Sequence, residues 1–377
     1  MENNEPVRVL QVVGRMDRGG IETMIMNLYR HIDRSKVQFD FLAHYGREAA
    51  YNNEIRALGG NIYEMPALRD DTHIYYWKLP TYIMALHQFF AHHPEIKIIH
   101  GNMTNTAAIY MPIARKYGVK TCIAHSHNTR GKAGLLGVVT DILQKPIIKY
   151  ATDLFACSKE AAYWFYPKEL VDAGKIKIIP NAVDAQKFRY DPIKRIKMRE
   201  KLQIGNRLAI VCVARFRKEK NQAFLVQVLN EIVKKRNDVV LFFAGDGEYE
   251  NNVKKLVQKY HLENHVVFLG MCDYVSDLLQ AMDVFALTSL WEGLPVVGVE
   301  AQASGLHCVV SDGITRELDI IGNVKFLSLS VPVRVWADQL IAAAQLPRQD
   351  TFKAIQAAGY DIHTTAKWLQ NFYLSKC

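Results

Sequence analysis

Short apolar runs rich in β-branched residues recur along the chain and alternate with longer segments whose apolar residues return at helical spacing. The first run, Val7 to Val13, ends in Gly14. A loop holding Gly19 and Gly20 follows, and then Ile21, Met24, Ile25 and Leu28 mark one helical face, so the segment reads as strand, glycine loop, helix. Further runs at 39–43, 96–99, 121–124, 153–156 and 176–179 extend the alternation. That alternation predicts a parallel sheet with crossover helices over the first 180 residues.

The polar, charged stretch from Asn181 to about Gly205 breaks the pattern and reads as a linker with an entry helix. The pattern then restarts with a strand at 208–214, a basic loop, a helix near 221–236, and a strand at 239–244 closed by Gly245-Asp246-Gly247. Strands recur at 266–269, 284–287 and 308–310. The expected fold class is α/β, two Rossmann-like domains over 1–185 and 186–360 with a terminal segment at 361–377. A ligand is expected in a cleft facing both sets of strand C-termini.

Composition narrows the functional classes. With 49% hydrophobic and 23% charged residues in 377, the chain is neither disordered, fibrous nor a disulfide-stapled mini-protein. It lacks the run of about 18 apolar residues that a spanning helix needs. Its start, MENNEPVRVL, is acidic and polar where a signal peptide would be basic and then apolar, so a cytoplasmic location is expected. Six cysteines lie scattered with no C-x-x-C pair and read as core hydrophobes. The +9 charge is spread without an arginine-rich arm. It fits anionic small molecules or an anionic membrane surface better than nucleic acid.

The most informative segment is Ser289 to Gly305, in which Glu292 and Glu300 are separated by seven residues. Pro295 suits the first turn of a helix, so Gly293 and Leu294 just before it can present free N–H groups to a phosphate. Glu300 lies more than one turn further on, where a carboxylate reaches a neighbouring diol. Val213-Ala214-Arg215-Phe216-Arg217-Lys218-Glu219-Lys220-Asn221 puts cations directly after a predicted strand. Fixed cations in a closed cleft stabilise a departing diphosphate without reorganisation. Gly19-Gly20-Ile21-Glu22 opens the first helix, and Ala124-His125-Ser126-His127-Asn128 closes a predicted strand. No D-x-D cluster and no metal-ligand spacing occurs, so no metal is expected.

Over nearly its whole length the chain resembles the retaining GT-B glycosyltransferases of family four. The Glu292/Glu300 segment resembles their E-x7-E signature, 213–221 their V-G-R-x4-K-[GN] loop, and Gly19-Gly20 their G-G-x-E/Q/S loop. Pro180-Asn181-Ala182-Val183-Asp184 resembles P-N-G-V-D with alanine for glycine, and Ser304 to Val310 resembles S-G-x-P-V-V with His307 for proline.

The resemblance implies a GT-B fold and a nucleotide diphosphate sugar as donor, with no cofactor and no metal. Glu300 takes the donor ribose, Glu292 the donor sugar, and Arg215 and Lys220 the pyrophosphate. Gly20, Gly293 and Leu294 approach the phosphates through backbone. His127 becomes the active-centre histidine, with His125 competing for that role. The terminal helix is implied to cross back onto the first domain.

The partners implied are the donor and a saccharide or lipid-linked saccharide acceptor; residues 128–149 mix basic and apolar residues and read as an interfacial segment at the inner face of the plasma membrane, an acceptor-binding loop, or an ordinary amphipathic helix packed on the first domain. Extracellular polysaccharide assembly is the implied setting. Two other readings stay open: a nucleotide-sugar epimerase of the same fold, and a non-catalytic subunit that binds the sugar nucleotide.

Overall fold

The computed structural model describes residues 5–17, 19–44, 48–68, 75–104, 106–127 and 146–377. The part of the proposed interfacial segment at 128–145 lies outside the described residues. The chain forms two compact units, 1–182 together with 362–377, and 183–361. The sequence reading set the boundary near residue 185, whereas the division falls between Ala182 and Val183.

The first unit is built on β1 (Val7–Val13), β2 (Val37–Ala43), β3 (Ile62–Glu64), β4 (Ile98–Gly101), β5 (Thr121–Ser126), β6 (Asp153–Ala156) and β7 (Lys177–Ile178). Their order in the sheet is β3-β2-β1-β4-β5-β6-β7, with parallel pairing throughout. Parallel strands covered on both faces need continuous apolar runs. Accordingly β1 and β2 contribute Val9, Val13, Phe39 and Phe41 to one face and Leu10, Val12 and Leu42 to the other. The charged residue within β2 is matched. Asp40, almost fully buried, accepts two hydrogen bonds of 2.6 Å from the Arg8 guanidinium, which satisfies a buried carboxylate at both oxygens.

The second unit carries β8 (Leu208–Val213), β9 (Val239–Ala244), β10 (Val266–Phe268), β11 (Val284–Leu287), β12 (His307–Ser311) and β13 (Val324–Leu327), in the order β10-β9-β8-β11-β12-β13. The segment read as a linker belongs to this unit's core. Its helix Pro192–Lys201 turns Arg195 and Arg199 onto Asp283, at 2.5 and 3.2 Å, and the same carboxylate accepts the Ala209 N–H at 2.7 Å.

Two strands escaped the sequence reading, β3 and β13. Both are edge strands of three or four half-exposed residues, and neither shows an uninterrupted apolar run.

The terminal helix Ile362–Leu374 buries Ile362, Ala366, Leu369 and Tyr373, a stripe at helical spacing, in the first unit's core beside Val9, Phe39 and Phe41. It thus completes one face of a sheet whose strands ended some two hundred residues earlier. Leu369→Ala should destabilise the first unit by about 2–5 kcal/mol. Hydrogen exchange should show protection falling in β1 and β2 and unchanged in β8 and β9. Uniform loss across both sheets would contradict this assignment.

Candidate functional site

Both sheets reverse strand order at their centre, between β1 and β4 in the first and between β8 and β11 in the second. In open α/β sheets such a reversal leaves a crevice outside the strand C-termini, where the two flanking connections part to opposite faces. The sequence-derived residues sit at these ends. The Gly19–Gly20 loop follows β1 and His127 follows β5. Arg215 and Lys220 follow β8, and Glu292 follows β11.

In the second unit the two cation- and carboxylate-bearing loops are bound together by backbone. The Leu290 N–H donates to the Glu219 carbonyl at 2.7 Å, and the Thr288 hydroxyl donates to the Asn221 carbonyl at 3.0 Å. Asn221 is left-handed, φ 51° and ψ 40°, as it ends the turn Lys218–Lys220 and begins the helix Gln222–Lys235. That conformation explains the glycine-or-asparagine requirement after the lysine, since only those residues adopt it at little cost. The result is an ion pair of 2.5 Å between Lys220 Nζ and Glu292 Oε2, with both side chains mostly buried. The Ser289 hydroxyl donates to the other Glu292 oxygen.

The turn 245–247 buttresses the arginine loop. Gly245 and Gly247 have φ of +135° and +146°, and a Cβ on either would lie 2.2 or 2.4 Å from the Ala214 or Phe216 carbonyl oxygen. The Phe216 N–H donates to the Asp246 carbonyl at 2.7 Å. Arg215, between the two contacted residues, is thereby held at an exposed position.

On the carboxylate side Glu292 forms a single β-bridge with Ile314, its N–H donating to the Gly313 carbonyl at 3.1 Å. This pairing keeps the chain extended through Pro295, φ −73° and ψ 116°. The helix consequently runs Val296–Ala303 with Pro295 as its N-cap, one residue later than the sequence predicts. Gly293 and Leu294 precede it, and among the described residues their N–H groups have no hydrogen-bond partner. Glu300, within the helix and half-buried, has no side-chain hydrogen bond among the described residues. Burial raises its carboxyl to about 7, against which the nearby Lys187 charge acts in the opposite sense. A half-buried carboxyl with no donor bonded to it among the described residues is an acceptor that a ligand's hydroxyl can satisfy.

In the first unit Gly20 begins the helix Gly20–His31, and a side chain there would meet open space, so backbone is accessible at this point. The two candidate histidines part company. His125 lies inside β5, fully buried, its Nδ1 2.9 Å from His100 Nε2. His127 lies just past the strand, half-buried, its Nε2 3.0 Å from Asn102 Oδ1. Burial lowers the His127 imidazole to about 3 and the His125 imidazole well below its usual range. Sequence reading missed His100, Asn102 and Gln11. The available signal was a polar residue inside an apolar strand run, V-L-Q-V-V and I-I-H-G-N.

The raised Glu300 carboxyl has a stability consequence with a definite sign. The folded state holds this proton more tightly than the unfolded chain, so the group's contribution is full below about 4.5 and lost as pH rises through about 7. Glu300→Gln should therefore be more stable than wild type by about 1–3 kcal/mol at pH 8, with the difference vanishing near pH 4. Thermal denaturation at the two pH values checks it; a pH-independent difference would contradict the cause given.

Comparison with known proteins follows the same division. Residues 18–187 match the family model described as Glycosyltransferase Family 4, and residues 194–347 match that described as Glycosyl transferases group 1. EpsF of Bacillus subtilis (strain 168), provisionally named a glycosyltransferase, is 35% identical over 383 residues, covering 98% of this chain and 97% of that protein. The UDP-Gal:alpha-D-GlcNAc-diphosphoundecaprenol alpha-1,3-galactosyltransferase of Escherichia coli is 31% identical over 57% of each chain. Among solved structures, Anabaena HepE in complex with UDP superposes with a TM-score of 0.78 at 16% identity, covering 98% of this chain and 100% of that one. Two parallel Rossmann-like sheets, the matched loops at their strand ends and a full-length relative together establish that this chain belongs to the family-four GT-B glycosyltransferases.

Proposed function

We propose that the protein transfers a glycosyl group from a nucleoside-diphosphate sugar to a hydroxyl of a saccharide or lipid-linked saccharide, with retention of anomeric configuration and without a metal ion. The observation that carries the reading is the grouping at the β8 and β11 ends of Lys220, Glu292 and two backbone N–H groups without a partner among the described residues, with Arg215 on the same loop as Lys220. A diphosphate leaving group gains negative charge as the glycosidic bond breaks. Lys220 and Arg215 are cations on a loop whose backbone is already held in place, and the Gly293 and Leu294 N–H groups add donors at the same strand ends. These groups supply the charge stabilisation for which other transferases use a divalent cation.

In this reading the Lys220–Glu292 pair rearranges on donor binding. Lys220 turns to the diphosphate, and Glu292 keeps its Ser289 bond while accepting from the donor sugar. Glu300 accepts from the ribose diol, which compensates the cost of its burial and lowers its pKa. In the first unit, Gly20 lets backbone approach the phosphates and His127 meets the sugar. In this reading the acceptor hydroxyl attacks on the face from which the diphosphate departs, which retains the configuration, and its proton passes to the departing diphosphate oxygen.

The donor nucleoside is proposed as uridine, on the support of HepE, solved with UDP, and of the Escherichia coli relative, whose name specifies UDP-Gal. That relative's acceptor is a diphosphoundecaprenol saccharide, which supports a lipid-linked acceptor and a role in extracellular polysaccharide assembly. None of the described helices is long and apolar enough to cross a membrane. We propose peripheral contact at the inner face of the plasma membrane. The helix Pro192–Lys201 supports it, exposing Ile193 and Ile196 at 63% and 60% beside exposed Lys194 and Lys197.

Lys220→Ala should lower kcat/KM by about 10²–10³-fold with the thermal transition retained, and chelator should leave transfer unchanged. The product should keep the donor's anomeric configuration; an inverted product would overturn the retaining mechanism, and donor turnover without acceptor would point to an epimerase. A thermal-shift series over UDP-, GDP- and ADP-sugars should show stabilisation by the uridine compounds alone. In sedimentation with vesicles, binding should increase with anionic lipid content and decrease in Ile193→Ser/Ile196→Ser.

A further inference from the structure

Six polar side chains of the first unit form one connected network at the C-terminal ends of β1, β4 and β5: Gln11, His100, Asn102, His125, His127 and Tyr373. Its proton positions follow from a single backbone carbonyl. The His100 carbonyl can only accept, so the Asn102 amide nitrogen, 3.3 Å from it, is the end that faces it, and the same nitrogen donates to Gln11 Oε1 at 2.9 Å. Asn102 Oδ1 is thereby turned to His127 Nε2, 3.0 Å away, and only a protonated Nε2 completes that bond. A neutral imidazole has one N–H. His127 Nδ1 is therefore a lone-pair acceptor, and it is buried without a partner among the described residues.

The other branch is fixed by the same logic. Gln11, with its oxygen occupied by Asn102, directs its nitrogen to the Tyr373 hydroxyl at 3.5 Å. Among the described residues His100 Nδ1, 2.6 Å away, is the one acceptor bonded to the Tyr373 O–H, so that hydroxyl accepts from Gln11 and donates to His100 Nδ1, and His100 Nε2–H then donates to His125 Nδ1 at 2.9 Å. His125 consequently carries its proton on Nε2, also buried and unpartnered among the described residues. The His125 and His127 rings lie 4.0 Å apart. Burial holds His100, His125 and His127 neutral, each lowered from the usual histidine range. A second proton on any of them would turn one acceptor of the chain into a donor and break it.

We propose that Asn102 is a positioning residue that locks His127 in the Nε2–H tautomer, so that Nδ1 is presented to accept a hydrogen bond from a sugar hydroxyl, and that Tyr373 of the terminal helix fixes His100 and His125 in the matching orientation. The sugar contact rests on the glycosyl transfer proposed above; the tautomer does not.

The test is a long-range ¹H–¹⁵N correlation on the full-length chain labelled at histidine, with the His127 signals identified by their loss in His127→Gln. The expected wild-type spectrum has a pyrrole-like Nε2 and a pyridine-like Nδ1 for His127. Asn102→Leu should convert this to a mixed tautomer. Tyr373→Phe should shift the His100 and His125 signals while His127 keeps its pattern. In transfer assays Asn102→Leu should lower kcat by about 10- to 100-fold, the range seen when a hydrogen-bond partner that orients a functional histidine is lost, with donor KM unchanged. A pyrrole-like Nδ1 on His127 in the wild type, or His127 signals indifferent to Asn102→Leu, overturns the lock. If the tautomer is as stated but His127→Gln transfers sugar at the wild-type rate, the sugar contact is overturned. Absence of transfer from every nucleotide sugar removes the functional reading and leaves the spectroscopic result standing.

Discussion

Backbone packed directly on backbone is the constraint from which the second unit's site follows. At 245 and 247 the turn after β9 touches the carbonyls of Ala214 and Phe216, and at 313 the loop after β12 touches the Leu290 carbonyl, where a Cβ would come within 2.1 Å. No residue but glycine fits these contacts without displacing main chain. They clamp the loops after β8 and β11 from outside, while the Leu290-to-Glu219 hydrogen bond joins them from within. Lys220, with its flexible four-carbon stem, thus meets Glu292 at 2.5 Å on a rigid base. Stabilising a developing charge depends on groups that need not move far when it appears.

The two units solve the same topological problem with different chemistry. In each sheet the order reverses at the first strand, and polar groups gather at the strand ends there. The second unit gathers charge: a lysine, an exposed arginine and two glutamates. The first gathers neutral hydrogen-bonding groups, with three imidazoles kept uncharged by burial and linked by Asn102, Gln11 and Tyr373. Lysine and arginine side chains suit a diphosphate, and neutral hydrogen-bonding groups suit hydroxyls. Tyr373 also gives the terminal helix two roles, because the stripe that buries Leu369 against the sheet delivers the phenol to His100.

Legibility differed between core and edge. β1, β2, β8 and β9 were readable because strands buried on both faces admit little but apolar residues. β3 and β13 were not, because an edge strand half open to water carries no such demand. In the site, the charged loops were readable because arginine, lysine and glutamate directly after an apolar run are conspicuous. Asn102 and Gln11 were not: their significance is an orientation that depends on partners 91 positions apart in the chain. The helix start at Val296 rather than at Pro295 has the same origin, since the bridge from Glu292 to Ile314 prolongs the extended backbone.

The sequence by itself determined the alternation of strands and helices, the two-domain α/β class and the loops that hold Arg215, Lys220, Glu292 and Glu300, since each follows from local pattern and residue chemistry. The return of residues 362–377 to the first unit agrees with what the family resemblance implied, whereas tertiary structure alone decided that Lys220 and Glu292 pair, that Glu300 is half-buried, and that His127 sits at the strand exit while His125 is sealed within it. The physical reason is range. Propensity and spacing act over a few residues, whereas desolvation, backbone contact and the direction of a buried hydrogen bond are set by atoms that only folding brings together.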